Sequence, residues 1–442
     1  MDSLTYPLDL YNEVKTRWNK SIYEGEKVPN LPDEETFNRI VDVVYHASFL
    51  TEEKRRIWFR VTYASKELIA KEAKKRTRDE TSERYKIISF DRPRVFSVEE
   101  IVKLAPAADP TQVLIGIFEN DAKKLEIWGL IDAGTSYRKL LRHEASSAFP
   151  PPHSFTVSSK NPGQIIISRM GFIELILEQG RIVKSSSDVF YDGPVHEFLE
   201  RGAKRTCKEL CERVNRKCWN PSDPKNDLVK NTYIEFIEDV LERIRERFHG
   251  GTIVMVPDEM DVADTRLQDR IIIKYPCSYD ASELLINELV EKKNCNDMKR
   301  RLWRKKEVSL RQYRGLELSD SSKQNAEEML KNAASFISSL TAVDGAVVLT
   351  DNLRLLGFGA EITATSPRLN RVKVITDFKK NVGENKDIEF FGTRHRSAFR
   401  FCSSFEDSIA FIVSQDGEIK VAKRVGSEVV LWLNINVGSL GF

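Results

Sequence analysis

Six consecutive residues, Gly392-Thr393-Arg394-His395-Arg396-Ser397, bring together two guanidiniums, an imidazole and two hydroxyls. Guanidinium forks make paired, charge-assisted hydrogen bonds to phosphate oxygens. Each such bond contributes about 1.5–3 kcal/mol net. A helix starting near Ser397 would add unpaired backbone N–H groups, which favour an anion. Ala398, Phe399, Phe401 and Cys402 would form its buried side. By composition alone, the same residues also suit a basic surface turn. A second candidate is Asp344, which stands just ahead of the apolar run Ala346-Val347-Val348-Leu349. A carboxylate there can hold a divalent cation or take a proton from a hydroxyl. Gly345 beside it lets a ligand approach the backbone, although Asp-Gly is equally a common turn pair.

These residues need elements to hold them. The chain has 442 residues, which favours two domains over one core. Its 41% hydrophobic and 31% charged composition is that of a globular protein, and a net charge of +2 gives no global field toward nucleic acid or membrane. No apolar run approaches a membrane span, and Met1-Asp2-Ser3-Leu4 lacks the regions of a secretory signal. A soluble cytoplasmic protein is expected. Cys207, Cys211 and Cys218, even with His196, match no standard zinc spacing, so reduced thiols are expected.

Leu31-Pro32-Asp33 opens a helix whose stripe is Phe37, Ile40, Val41 and Val44. Strands are predicted at Ile57–Tyr63, Val113–Phe118, Leu125–Ile131, Ile165–Ile167 and Phe172–Leu177. Lys71–Lys86 reads as an exposed helix end and loop, and Phe149–His153 as a stiff proline loop. Helices follow at Val195–Lys217 and Leu228–Phe248, separated by Asn220-Pro221-Ser222-Asp223-Pro224, the expected domain boundary. The second half brings strands at Gly251–Val256 and Ile271–Tyr275, a helix at Ala281–Val290, and a helix at Ser322–Leu340 opened by a capping box of Ser321 and Gln324. Hairpins are expected around Asp351-Asn352 and Asp416-Gly417, with a last strand at Val429–Leu433. The fold class is therefore α/β. Residues 226–442 would form a mixed β-sheet flanked by helices, and residues 1–225 an α+β domain.

Asp344-Gly345-Ala346 followed by Gly392-Thr393-Arg394-His395-Arg396-Ser397-Ala398 resembles the paired signature of the diadenylate cyclase domain, found in the bacterial DNA-integrity scanning protein and in membrane-bound cyclases. Ser282-Glu283-Leu284-Leu285 and Ser414 fall where that family has a Ser-Glu-Leu-Leu helix and a serine at a strand end. The resemblance spans roughly Leu228–Trp432 and is nearest a branch with a large N-terminal sensor region. It implies condensation of two ATP into cyclic di-AMP and two pyrophosphates, with Mg2+ or Mn2+, in a face-to-face homodimer or higher oligomer. It implies that Asp344 and His395 are catalytic and that the metal is held by Asp344, His395 and Asp416. Substrate would be held by Gly345, Ala346, Thr393, Arg394, Arg396, Ser397 and Ser414, with Leu356, Phe358 and Ala360 along the adenosine. Gln415-Asp416 replaces the acidic pair of the membrane-bound members, and the segment between Ser282 and Asp344 is long for the family. A nucleotide-binding sensor without turnover is the alternative.

The basic run Lys299–Arg314, interleaved with Trp303 and Tyr313, could also grip a nucleic-acid strand. The balanced charge argues instead for a solvated helix face with Leu302 and Leu310 turned inward. No membrane or nucleic-acid partner is expected, and there is no P-loop pattern.

Overall fold

The computed structural model describes residues 5–437 except 19–27, 54, 75–84, 111, 135–151, 170–171, 179, 184–186, 214–226, 248, 306, 367, 378–381, 416, 434 and 436. By packing, the chain divides between Ser185 and Ser186 into two compact units. The expected division after residue 225 therefore falls too late. The helix at Gly193–Arg213 belongs to the second unit, because its Val195, Phe198, Leu199, Ala203 and Leu210 lie in that unit's core.

In the first unit, helices α1 (Leu10–Trp18), α2 (Glu34–Ala47), α3 (Lys66–Ala73) and α4 (Val98–Leu104) accompany the strands. Helix α2 starts as its sequence predicts. The Asp33 carboxylate accepts from the Thr36 N–H at 2.9 Å, and Phe37, Ile40, Val41 and Val44 are buried. Strands β1 (Thr51–Glu52) and β2 (Arg55–Arg56) form a small ribbon. Strands β3 (Phe59–Tyr63), β4 (Lys86–Val95), β5 (Val113–Glu119), β6 (Leu125–Asp132), β7 (Phe155–Ser159), β8 (Ile165–Arg169), β9 (Phe172–Glu178) and β10 (Arg181–Val183) form one sheet in the order β10-β9-β8-β7-β3-β5-β6-β4. The β5–β6 hairpin and β8–β9 pair are as predicted. Strand β4 was not anticipated, since it is an edge strand exposed along most of its length and lacks an apolar alternation.

The second unit contains helices α5 (Gly193–Arg213), α6 (Asp227–Glu246), α7 (Thr265–Gln268), α8 (Ala281–Trp303), α9 (Leu310–Leu340) and α10 (Thr393–Ser404). Its strands are β11 (Gly251–Val256), β12 (Ile271–Asp280), β13 (Ala346–Thr350), β14 (Arg354–Ile362), β15 (Arg371–Asp377), β16 (Val382–Asp387), β17 (Ile409–Val413), β18 (Ile419–Val425) and β19 (Glu428–Trp432). They form a mixed sheet, β12-β14-β13-β11-β17-β18-β19-β15-β16, in which β11–β13 and β15–β19 are parallel. Alternate residues enter two different cores. Ile253, Val347 and Phe411 pack with residues of α5, α6, α8 and α9. Val254, Val348 and Ala410 pack with Ala398, Phe399, Phe401 and Cys402 of α10. This is the expected α/β arrangement of a mixed sheet with helices on both faces.

Several boundaries differ from the sequence reading: the helix expected to end at Val290 runs to Trp303. Helix α9 begins twelve residues before Ser322, at Leu310, and its capping box is formed by Ser309 and Gln312. The Ser-x-x-Gln spacing occurs at both places, but at Ser321 the helix is already under way, and Gln324 instead bonds Asp320 at 3.3 Å. Strands β15 and β16 were not predicted. The second is a polar edge strand, Val382-Gly383-Glu384-Asn385-Lys386-Asp387, with no apolar period to reveal it.

Candidate functional site

Helix α10 begins at Thr393, with Gly392 as its N-cap residue and no side-chain cap. This is earlier than the start expected near Ser397. Thr393, Arg394 and His395 thus occupy the first turn, where backbone N–H groups have no partner within the helix. The buried side is the expected one, since Ala398, Phe399, Phe401 and Cys402 are all buried. An open pocket of about 500 Å³ lies at this helix end, lined by Gly392, Thr393, Arg394, His395, Ile412, Val413, Ser414 and Gln415.

The sheet register sets Asp344 relative to this pocket. Thr252 of β11 pairs with Ala346 in parallel, so stepping back two residues aligns Gly250 with Asp344. Gly251 pairs with Val413 in antiparallel, so Gly250 also aligns with Ser414. Asp344 and Ser414 therefore stand at the same end of the sheet, on either side of Gly250. Asp344 lies outside the residues that line the pocket. Asp344 is exposed there.

Arg394 is exposed and reaches the His249 carbonyl with Nη1 at 3.4 Å. Arg396 is not part of the pocket lining, and its Nη1 bonds the Glu389 carboxylate at 2.5 Å. Ser397, half-buried, also lies outside the lining. His395 packs beside the Phe391 and Phe399 rings, 5.9 and 6.2 Å from their centroids. The Ser414 hydroxyl donates to the Glu418 carbonyl at 3.1 Å and accepts from the Glu418 N–H at 3.0 Å, so it braces its own turn. Asp416 lies outside the described residues.

Gly345 has a packing role that the sequence did not suggest. Its φ is +120°, and a Cβ there would come within 2.5 Å of the Gly359 carbonyl carbon and 2.7 Å of the Ala360 nitrogen. The absent side chain makes room for β14, whatever else it admits. Ala346 is buried and pairs with Ala360. The three residues expected along an adenosine do not share one face, because the β13–β14 register shifts between them. Leu356 and Ala360 are core residues, packed with α10's cluster. Phe358 packs against the other core and stacks on the exposed Tyr275 ring at 4.9 Å.

Sequence reasoning missed Gly250 and His249. Gly250 has φ +66°, and a Cβ there would meet Arg394 Nη1 and the Val413 carbonyl, each at 2.7 Å. Its bareness therefore admits the Arg394 guanidinium to the sheet end. The Gly250-Gly251 doublet ahead of a strand was the available signal.

A separate network fixes the far end of the β13–β14 hairpin. Asp351 is buried, and burial pushes its carboxyl up to about 6 against the opposing pull of Arg205. Arg205 of α5 pairs with it, and Tyr233 of α6 donates to its backbone carbonyl at 2.5 Å. His196, also on α5, bonds the Phe190 carbonyl at 2.8 Å through Nδ1. The described cysteines carry no disulfide, and Cys218 lies outside the described residues.

Among the described residues no cluster of three His, Cys, Asp or Glu side chains could hold a metal ion. A single exposed carboxylate such as Asp344 fits a cation of the Mg2+ type, which is commonly held by one or two carboxylates together with substrate phosphates. Also among the described residues, no helix is long and apolar enough to cross a membrane.

No curated protein matches the chain. Residues 26–132 match the family described as "Probable sensor domain DACNV", a domain found at the N-terminus of diadenylate cyclase-type proteins. That match covers α2 to β6 of the first unit and stops short of the residues around the pocket.

Proposed function

We propose that the second unit is a diadenylate cyclase and that the sensor domain regulates it. The observation that carries this reading is the pocket joining the α10 N-terminus, with Arg394, to the Ser414 strand end, at the end of the sheet where Asp344 precedes β13. Its volume is in the usual range for a small-ligand site.

In this reading, the ATP phosphates lie against the first-turn N–H groups of α10 and the Arg394 guanidinium. The 3′-hydroxyl of one ATP attacks the α-phosphorus of another. A new P–O ester forms, the bond to the β-phosphate breaks, and pyrophosphate leaves. The 3′-hydroxyl of the second nucleotide then attacks the α-phosphorus of the first in the same way, which closes the ring and gives cyclic di-AMP and a second pyrophosphate. Asp344 takes the hydroxyl proton. One pocket per chain holds one ATP, so two copies must face each other in a homodimer or larger assembly. Mg2+ or Mn2+, held by Asp344 with His395 and Asp416 as further ligands, would offset the polyphosphate charge. Thr393 and Ser414 border the phosphates, while Gly345 and Ala346 set the depth of the strand start. Phe358, with Tyr275, offers the adenine an aromatic surface.

A second reading, a nucleotide sensor without turnover, draws on two contacts. Arg396 is engaged by Glu389 and the Ser414 hydroxyl by Glu418, leaving fewer groups for phosphate than the motif promised. Incubating the purified chain with ATP and Mn2+ separates the two. The cyclase reading expects cyclic di-AMP, lost at least about a hundredfold in Asp344→Asn with ATP binding retained. ATP binding without product in the parent chain would leave only the sensor reading.

A further inference from the structure

Helices α8 and α9 form an antiparallel hairpin whose outer half stands clear of the core. Among the described residues from 296 to 325, none is buried. Burial resumes inward of that, at Cys295 on α8 and at Ala326 on α9. Asp320 clasps the two helices, accepting from Lys299 Nζ at 2.8 Å and from Cys295 Sγ at 3.4 Å. Beyond this clasp, α9 continues for ten more residues, or about 15 Å at the helical rise, to its start at Leu310.

The tip of this arm has two unusual properties. Arg300, Arg301, Arg304, Lys305, Arg311 and Arg314 are all exposed, and none has an ion pair or side-chain hydrogen bond among the described residues. The acidic residues near them do not compensate: Glu307 is the sole acid between Lys299 and Arg314. The second property concerns apolar groups. Leu310, expected to turn inward, is 68% exposed, Leu318 70%, Tyr313 54% and Val308 44%. A merely solvated arm has no use for three exposed aliphatic side chains beside unpaired cations.

We propose that this arm docks on an anionic lipid surface. The cations match a layer of phosphate headgroups, and Val308, Leu310 and Leu318 have the depth to enter the acyl boundary, as on interfacial amphipathic helices. A nucleic-acid strand would use the cations for its phosphates and stack its bases on Tyr313, but offers the aliphatic side chains nothing. The inference is independent of the cyclase reading, since it uses no residue of the pocket.

The test is flotation of the full chain with phosphatidylcholine vesicles, with and without about one third phosphatidylglycerol. Binding is expected only to the anionic vesicles and should weaken with salt. Neutralising Arg304, Lys305 and Arg311 to Gln should reduce binding by about fivefold per charge. Leu310→Ser with Leu318→Ser should reduce it at least tenfold while the circular dichroism spectrum stays that of the parent. These substitutions are at exposed positions, so folding is not at stake. Lack of flotation with anionic vesicles overturns the proposal. So does flotation unaffected by the two Leu→Ser changes, and so does salt-sensitive binding to single-stranded DNA in place of vesicles.

Discussion

The two sheets use their faces differently. In the second unit, β11, β13 and β17 are buried at every position, and both sheet faces are apolar. In the first, β3, β7 and β8 turn Phe59, Val61, Phe155, Val157, Ile165 and Ile167 into one apolar core. Their opposite face carries Arg60, Thr62, Thr156, Ser158 and Ser168, each 3% exposed or less. Arg60 stands opposite Ser158, and Thr62 opposite Thr156. Thr62, Ser154 and Thr156 satisfy one another through hydroxyl bonds of 2.6 and 3.1 Å. Burial pushes the Arg60 guanidinium down to about 9. A sheet apolar on both sides can show polar chemistry only at its strand ends, which is where Asp344, Gly250 and Ser414 are found. Along β3, β7 and β8 the first sheet keeps polar groups in its middle, at the cost of burying them, while its β5 and β6 put Leu114, Trp128 and Ile131 into a small apolar cluster with Ile69 and Ala73 of α3.

The largest effect should come from breaking the apolar sheet. Phe411→Ala, 1% exposed on the central strand β17, should cost about 3–5 kcal/mol in urea unfolding of the second unit. A loss under about 1 kcal/mol would mean that this interior is not the tightly packed one described. Next comes the strand end. Gly250→Ala must adopt a left-handed backbone and displace Arg394, so it should cost about 1–2 kcal/mol. It should also weaken ATP binding about tenfold by calorimetry; unchanged affinity would separate Arg394 from the nucleotide.

A smaller effect concerns buried carboxyls in the second unit. Burial raises Asp351 to about 6 and Glu288 to about 7. Both keep their protons in the folded chain at pH values where the unfolded chain has lost them. Their stabilising contribution is therefore complete below about pH 4 and fades as pH rises through about 6 and 7. Melting temperatures across that window should fall less steeply in Asp351→Asn and Glu288→Gln, and parallel curves would argue against the assignment. The smallest effect is expected in the first sheet. The Ser158 hydroxyl is buried without a hydrogen-bond partner among the described residues, so Ser158→Ala should change stability by less than about 1 kcal/mol, or raise it. A large loss would reveal a partner for that hydroxyl.

Much of this was legible in the chain itself. Continuous apolar runs such as Gly251–Val256 and Ile409–Val413 announced buried strands, and Asp33 announced the start of α2, because both signals are local. Arg394 was legible as a candidate from its chemistry, Asp344 only through the paired motif's resemblance. Edge strands β4 and β16 were not, since a strand paired on one side needs no apolar period. Helix α5 looked like the end of the first domain, and only its packing assigned it to the second. The partners that engage Arg396 and Ser414 were equally hidden, although Glu389 and Glu418 lie close by in sequence.

The sequence by itself determined most of the helices and buried strands, the apolar interior of the second sheet and the cluster of basic and hydroxyl groups at Gly392–Ser397, since each depends on neighbours within a turn or a strand. Tertiary structure alone decided that Asp344 and Ser414 stand at the same end of the sheet, that Gly250 opens a place for Arg394, and that Leu310 faces outward. Those outcomes depend on strand register and on how far a helix extends beyond the core, which are set by contacts between residues far outside one turn or strand.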